Sequence, residues 1–254
     1  MTRLLITCLS FLLFSFVITL EKKHIKLYLI GDSTMAIYES SKAPLTGWGK
    51  PFVNFFDSTI TIVNRAKGGR STKTFLGENR WQPIADSLQE GDYVLIQFGH
   101  NDESKESKMK DRYTPVPDYR INLIKFITET REKKATPVLI TPVTRMRFDK
   151  EGRIMETHLE YTAACYQISK EYNVPLIDLD KRSRDLLQQF GPENARMLFL
   201  QLKPGENPHY PNGENDDTHF NEFGARKIAE LVLAGIKELN LELDERIIKS
   251  DKNE

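Results

Sequence analysis

The chain has 254 residues, 36 Lys and Arg against 36 Asp and Glu, 39% hydrophobic residues and 28% charged ones. So much apolar content with no net charge excludes an intrinsically disordered chain. It also argues against a generally basic nucleic-acid binder. The length suits one globular domain with a sizeable core.

The chain opens on LLITCLSFLLFSFVITL at residues 4–20, between Arg3 and Glu21-Lys22-Lys23. A positive charge followed by a short unbroken apolar run has the shape of a secretory signal. Its length is at the lower limit for a membrane-spanning helix, which leaves an uncleaved anchor as the alternative. The expected organisation is a leader over 1–20, one domain over 24–241 and a charged tail over 242–254. The expected location is secreted or periplasmic, with no membrane contact unless the leader is retained. Loss of the leader removes Cys8, so that Cys165 has no partner for an internal disulfide. Cys165 falls in a helical pattern and reads as a buried structural thiol.

Beyond the leader, short apolar runs recur at Lys26–Ile30, Ile60–Val63, Tyr93–Phe98, Val138–Ile140 and Leu176–Leu179. Each is too short for a helix and suits a parallel strand buried on both faces. Helical stripes lie between and after them: Tyr119, Leu123, Phe126 and Ile127; Tyr161, Ala164, Cys165 and Ile168; then Ala225, Ile228, Ala229, Val232, Ile236 and Leu239. Asn221 is placed to cap the last helix. Alternating strands and helices predict an α/β domain with a parallel sheet covered on both sides. Active groups in such sheets gather beyond the carboxyl ends of the strands. Two stretches interrupt the alternation. Residues 102–112, DESKESKMKDR, read as a solvated loop that also follows a strand, where it can form the lip of a site. Residues 203–218, KPGENPHYPNGENDDT, are rich in Pro, Gly and Asn and read as irregular.

Four polar elements fall where chemistry is expected. Gly31-Asp32-Ser33 follows the first strand, Asn64 to Ser71 with Gly68-Gly69 the second, and Gly99-His100-Asn101-Asp102 the third; Asp216-Asp217-Thr218-His219 precedes the last helix. Each alone also reads as a turn or cap. Together, a Ser, a Gly N–H, an Asn amide and an Asp/His pair are the parts for acyl transfer through a tetrahedral intermediate. A carboxylate three residues before a His can hold Nδ1–H and leave Nε2 as the base. No G-x-S-x-G elbow is present. No H-E-x-x-H or Cys/His spacing supports a metal at Asp216, Asp217, His219 and His209, and no cofactor is expected.

These blocks, in this order, resemble the SGNH (GDSL) hydrolases. They are most similar to the rhamnogalacturonan acetylesterase branch, which Thr141-Pro142-Val143 and Lys203-Pro204-Gly205-Glu206 also resemble. The resemblance runs from about Lys26 to about Leu241 and implies a three-layer sandwich around a five-stranded, flavodoxin-like parallel sheet. It further implies Ser33 as nucleophile, His219 as base, Asp216 rather than Asp217 as its partner, and Ser33 N–H, Gly69 N–H and the Asn101 amide as the oxyanion hole. Arg70 and His158 stand as candidate substrate contacts, although Leu159 replaces the Gly that commonly follows that His. The substrate so implied is an acetylated pectic polysaccharide. The alternatives are an SGNH esterase for another acetylated glycan or small ester, and a non-catalytic carbohydrate-binding relative. Trp81 is read as core in preference to a sugar platform.

Overall fold

A computed structural model describes residues 22–106 and 110–249. The expected leader lies outside the described residues. The five apolar runs become β1 (Ile25–Gly31), β2 (Ile60–Asn64), β3 (Tyr93–Gln97), β4 (Thr136–Ile140) and β5 (Leu176–Ile177), in one sheet of order β2-β1-β3-β4-β5. Every pairing in that sheet is parallel. Side chains of a strand alternate between faces, so each strand feeds two cores. Leu27, Leu29, Tyr93 and Leu95 face one core, whereas Tyr28, Ile30, Val94 and Ile96 face the other.

Helices close both faces. α1 (Gly49–Phe52), α6 (Leu179–Ala195) and α7 (Glu222–Glu238) cover the first core, contributing Phe52, Leu187, Ile228 and Val232. α2 (Thr72–Gly77), α3 (Gln82–Ser87), α4 (Val116–Glu132) and α5 (Leu159–Tyr172) cover the second, with Phe75, Ile84, Phe126 and Ile168. This is the three-layer α/β fold expected. Trp81 is core, with Nε1 donating to Glu129, and Cys165 is fully buried, its thiol pushed up to about 12 by burial. Asn221 caps α7 by accepting from Gly224 N–H at 3.0 Å.

Two expectations are corrected. The stretch 203–218 is not irregular throughout: Glu214–Phe220 forms a strand, β7, antiparallel to β6 (Phe199–Leu202). Asn215, Asp216 and Asp217 are strand-poor residues that hide this pairing in the sequence. Gly213, at φ 76°, turns the chain back against Leu202, and the rings of Phe199 and Phe220 pack 5.2 Å apart behind the polar face. The second correction concerns the tail. Glu242–Arg246 is a 3-10 turn packed on the domain, with Leu243, Arg246 and Ile247 buried. Arg246 donates to the carbonyls of Lys23 and Thr59 at 2.9 and 3.0 Å.

Candidate active site

β1 ends at Gly31, where a Cβ would stand 2.5 Å from the Gln97 carbonyl. The next residue sets the turn. Asp32 Oδ1 accepts the Thr34 N–H at 2.9 Å and the Thr34 hydroxyl at 2.8 Å, an Asx turn with Ser33 at its tip. The Tyr38 hydroxyl donates to the Ser33 carbonyl at 2.9 Å.

The second turn follows β2. Gly69 has φ 78°, a conformation that favours glycine. A Cβ there would also lie 3.2 Å from the Arg112 guanidinium. The third turn follows β3. Asn101 Nδ2 donates to the Arg70 carbonyl at 3.0 Å, and its Oδ1 accepts from Arg112 Nη1 at 3.5 Å. The amide is thereby oriented from both ends, with one N–H left over. Asp102 next to it is fully buried, and its Oδ1 accepts from the Thr72 N–H and hydroxyl at the start of α2. Burial raises the Asp102 carboxyl to about 7 against those hydrogen bonds.

β7 supplies the Asp/His pair. Asp216 Oδ2 lies 2.6 Å from His219 Nδ1, while its Oδ1 accepts the Thr218 and His219 N–H groups at 2.7 and 2.9 Å. Burial raises the Asp216 carboxyl, but His219 and the two N–H groups outweigh it and hold it below the usual range. Asp217 faces away and pairs with Arg147 at 2.7 Å. By accepting the Thr218 and His219 N–H groups, Asp216 Oδ1 folds the irregular part of the ladder between Asn215 and Phe220 so that Asp216, not Asp217, reaches the His219 ring.

Ser33, Gly69, Asn101, Asp216 and His219 line one cleft of about 930 Å³. Among the described residues, neither Ser33 Oγ nor His219 Nε2 has a hydrogen-bond partner, so the two share the cleft unbonded to each other. His158 is also in the wall, but its side chain is fully buried, Nδ1 lies 2.8 Å from Glu103 and Nε2 is sealed from solvent. Arg70 does not line the cleft. Its guanidinium is engaged by Glu78 and the Gly68 carbonyl, and only its own carbonyl, on Asn101, serves the site.

Sequence reasoning missed several wall residues. Arg112, Glu103, Arg145 and Tyr38 all line the cleft. Arg145 donates to Glu103 at 2.9 Å and to Thr218 at 2.6 Å, joining the β3 exit to β7. The signal for Glu103 and Arg112 was the mixed-charge run directly after a strand.

The chain belongs to the GDSL-like lipase/acylhydrolase family, whose model matches residues 29–227. It is 43% identical over 234 residues to the rhamnogalacturonan acetylesterase RhgT of Bacillus subtilis, covering 92% of this chain and 98% of that one. It is 40% identical to the probable rhamnogalacturonan acetylesterase YesY of the same organism, over 88% and 97% of the two chains. Among solved structures, Bacillus subtilis protein YxiM superposes with a TM-score of 0.74 at 25% identity over 87% of this chain, which spans 58% of the YxiM chain. A catalytic mutant of Axe2, an acetylxylan esterase from Geobacillus stearothermophilus, superposes at 0.63 and 18% identity, over 91% and 99% of the chains; that likeness is one of fold.

Proposed function

We propose that this protein is a serine esterase that removes acetyl groups from rhamnogalacturonan or a closely related pectic polysaccharide outside the cytoplasm. The observation that carries the reading is the Asp216–His219 contact at 2.6 Å, on a strand that faces the same cleft as Ser33 and Asn101. The names of the relatives supply the substrate class, and the apolar run at residues 4–20 supplies the location.

In this mechanism Ser33 Oγ attacks the acetyl carbonyl carbon and passes its proton to His219 Nε2. The Asp216 carboxylate holds Nδ1–H and stabilises the imidazolium. The carbonyl oxygen becomes an oxyanion that accepts from Ser33 N–H, Gly69 N–H and the remaining Asn101 amide proton. Collapse breaks the bond to the sugar oxygen, which takes the proton from His219 and leaves as a hydroxyl. Ser33 then carries the acetyl group. Water gives a proton to His219 and attacks that ester; the bond to Ser33 Oγ then breaks, Oγ takes the proton back from His219, and acetic acid leaves and ionises to acetate. Arg70, fixed on Glu78, is not assigned to substrate, and His158 is assigned to the wall behind Glu103 in preference to direct contact.

The test is acetate release from acetylated rhamnogalacturonan, acetylated xylan and p-nitrophenyl acetate, with Ser33→Ala in parallel. The reading predicts a preference for the pectic substrate and its loss in the variant. Preference for xylan would move the protein to the alternative glycan. No hydrolysis of any ester by the unaltered protein would leave the carbohydrate-binding alternative.

A further inference from the structure

Asp32 is fully buried beside Ser33. Its Oδ1 is committed to Thr34, but its Oδ2 has no hydrogen bond. A buried carboxylate oxygen without a donor is costly. What faces it is Nδ1 of His100, 3.4 Å away and itself 4% exposed. His100 directly precedes Asn101. On its other side its ring packs edge-on against His158 with centroids 4.2 Å apart, and His158 is held by Glu103. Burial and the neighbouring His158 push the His100 imidazole down to about 4, against the pull of Asp32. Among the described residues, neither ring nitrogen of His100 has a hydrogen-bond partner, so the 3.4 Å approach of Nδ1 to Asp32 Oδ2 is a close polar contact in which a neutral ring beside an ionised carboxylate favours its proton on Nδ1.

We propose that His100 is a positioning residue for the ester hydrolysis: wedged between Asp32 and His158, it fixes the spacing between the turn that carries Ser33 and the turn that carries Asn101. Those two turns leave adjacent strands and supply two of the three oxyanion donors, which must hold their geometry to within about half an ångström. One further tie spans the same gap, from Gln97 Nε2 to the Thr34 hydroxyl at 2.8 Å. It joins the Ser33 turn to the last residue of β3 and does not reach the turn that carries Asn101, which it leaves to the Asp32–His100 contact. His100 itself moves no proton in the reaction. Its effect comes through Ser33 N–H and the Asn101 amide.

The inference rests on the esterase reading, and the test separates the two. Three variants are compared with the unaltered enzyme: His100→Leu, which fills the space without a donor; His100→Asn, whose amide nitrogen falls near the position of Nδ1; and Ser33→Ala. The readouts are kcat and KM on p-nitrophenyl acetate and inhibition by phenylboronic acid, which forms a tetrahedral adduct on a serine hydroxyl. The expected result for His100→Leu is a kcat roughly 20-fold lower, an unchanged KM and a boronate inhibition constant raised by a similar factor. His100→Asn is expected to recover kcat to within about fivefold of the unaltered enzyme. If the leucine variant does not fold, His100→Ser, too short to reach Asp32, takes its place with the same expectation. A folded leucine or serine variant with unchanged kcat and boronate affinity, or an asparagine variant as impaired as leucine, would overturn the inference alone. An active Ser33→Ala would instead overturn the esterase reading.

Discussion

Asn101 reaches back across the sheet to the backbone of Arg70: its Nδ2 donates to that carbonyl at 3.0 Å. One contact fixes both the amide that faces the cleft and the loop that holds Gly69. Asn101→Ala is therefore expected to lower kcat by about 100- to 1,000-fold with KM nearly unchanged, the pattern of a group used in the transition state. Steady-state kinetics checks this; a change confined to KM would make Asn101 a binding residue.

Gly69 has two reasons to lack a side chain. At φ 78° a Cβ costs roughly 1 to 2 kcal/mol, and here it would also press on the Arg112 guanidinium at 3.2 Å. Gly69→Ala is expected to lower Tm modestly and kcat more severely, because Gly69 N–H is one of the proposed oxyanion donors and Arg112, which the Cβ would press on, contacts the Asn101 amide. Thermal unfolding and kinetics on the same sample read the two effects separately.

Asp102 gives a pH dependence with a defined sign. Its folded carboxyl is raised to about 7 from the ordinary 3.8 by burial. The folded state therefore binds its proton more tightly than the unfolded chain does. Its stabilising effect is complete below the unfolded value and is lost as pH rises toward 7. Asn mimics the protonated acid, so Asp102→Asn is expected to gain on the unaltered protein between pH 4 and pH 7. The gain is on the order of 2 to 4 kcal/mol at the upper end. Denaturant unfolding at several pH values measures the difference, and a constant difference across that range would contradict the assignment.

The packed C-terminal turn predicts that a chain ending at Leu241 is destabilised. It loses the buried Leu243 and Ile247 and the Arg246 bonds to Lys23 and Thr59. Those losses come to roughly 3 to 6 kcal/mol, or a Tm lower by about 10 °C or more. An unchanged Tm would mean that residues 242–249 contribute nothing to the fold.

The parts of the molecule that were legible in the sequence are those where burial writes a pattern. β1 and β3 are covered on both faces, so Ile25–Gly31 and Tyr93–Gln97 read as apolar runs, and α7 shows its stripe of Ala225, Ile228, Val232 and Ile236. α1, α2 and α3, at four to six residues, are too short to display a period. α6 was overlooked although Leu179, Ser183 and Leu187 mark its buried side, because Gly191 and Pro192 break its far end and Leu179 reads as the end of β5. β7 was illegible for a different reason. Its first half is Glu214, Asn215, Asp216 and Asp217, residue types depleted in strands. For the site, residue type and order were enough to nominate Ser33, Gly69, Asn101, Asp216 and His219 to one cleft. Arg70 was misplaced because a charge beside the Gly68-Gly69 turn does not reveal which way its side chain leaves, here toward Glu78. Arg112 and Glu103 enter from a loop whose composition resembles any solvated surface.

In the proposed reaction Ser33 carries the acetyl group between its two halves. Rapid mixing with p-nitrophenyl acetate, acid quenching and peptide mass spectrometry test it directly. One added acetyl group is expected on the peptide containing Ser33, and none there in Ser33→Ala. Acetyl found on another residue, or undiminished turnover in the Ser33→Ala protein, would contradict it.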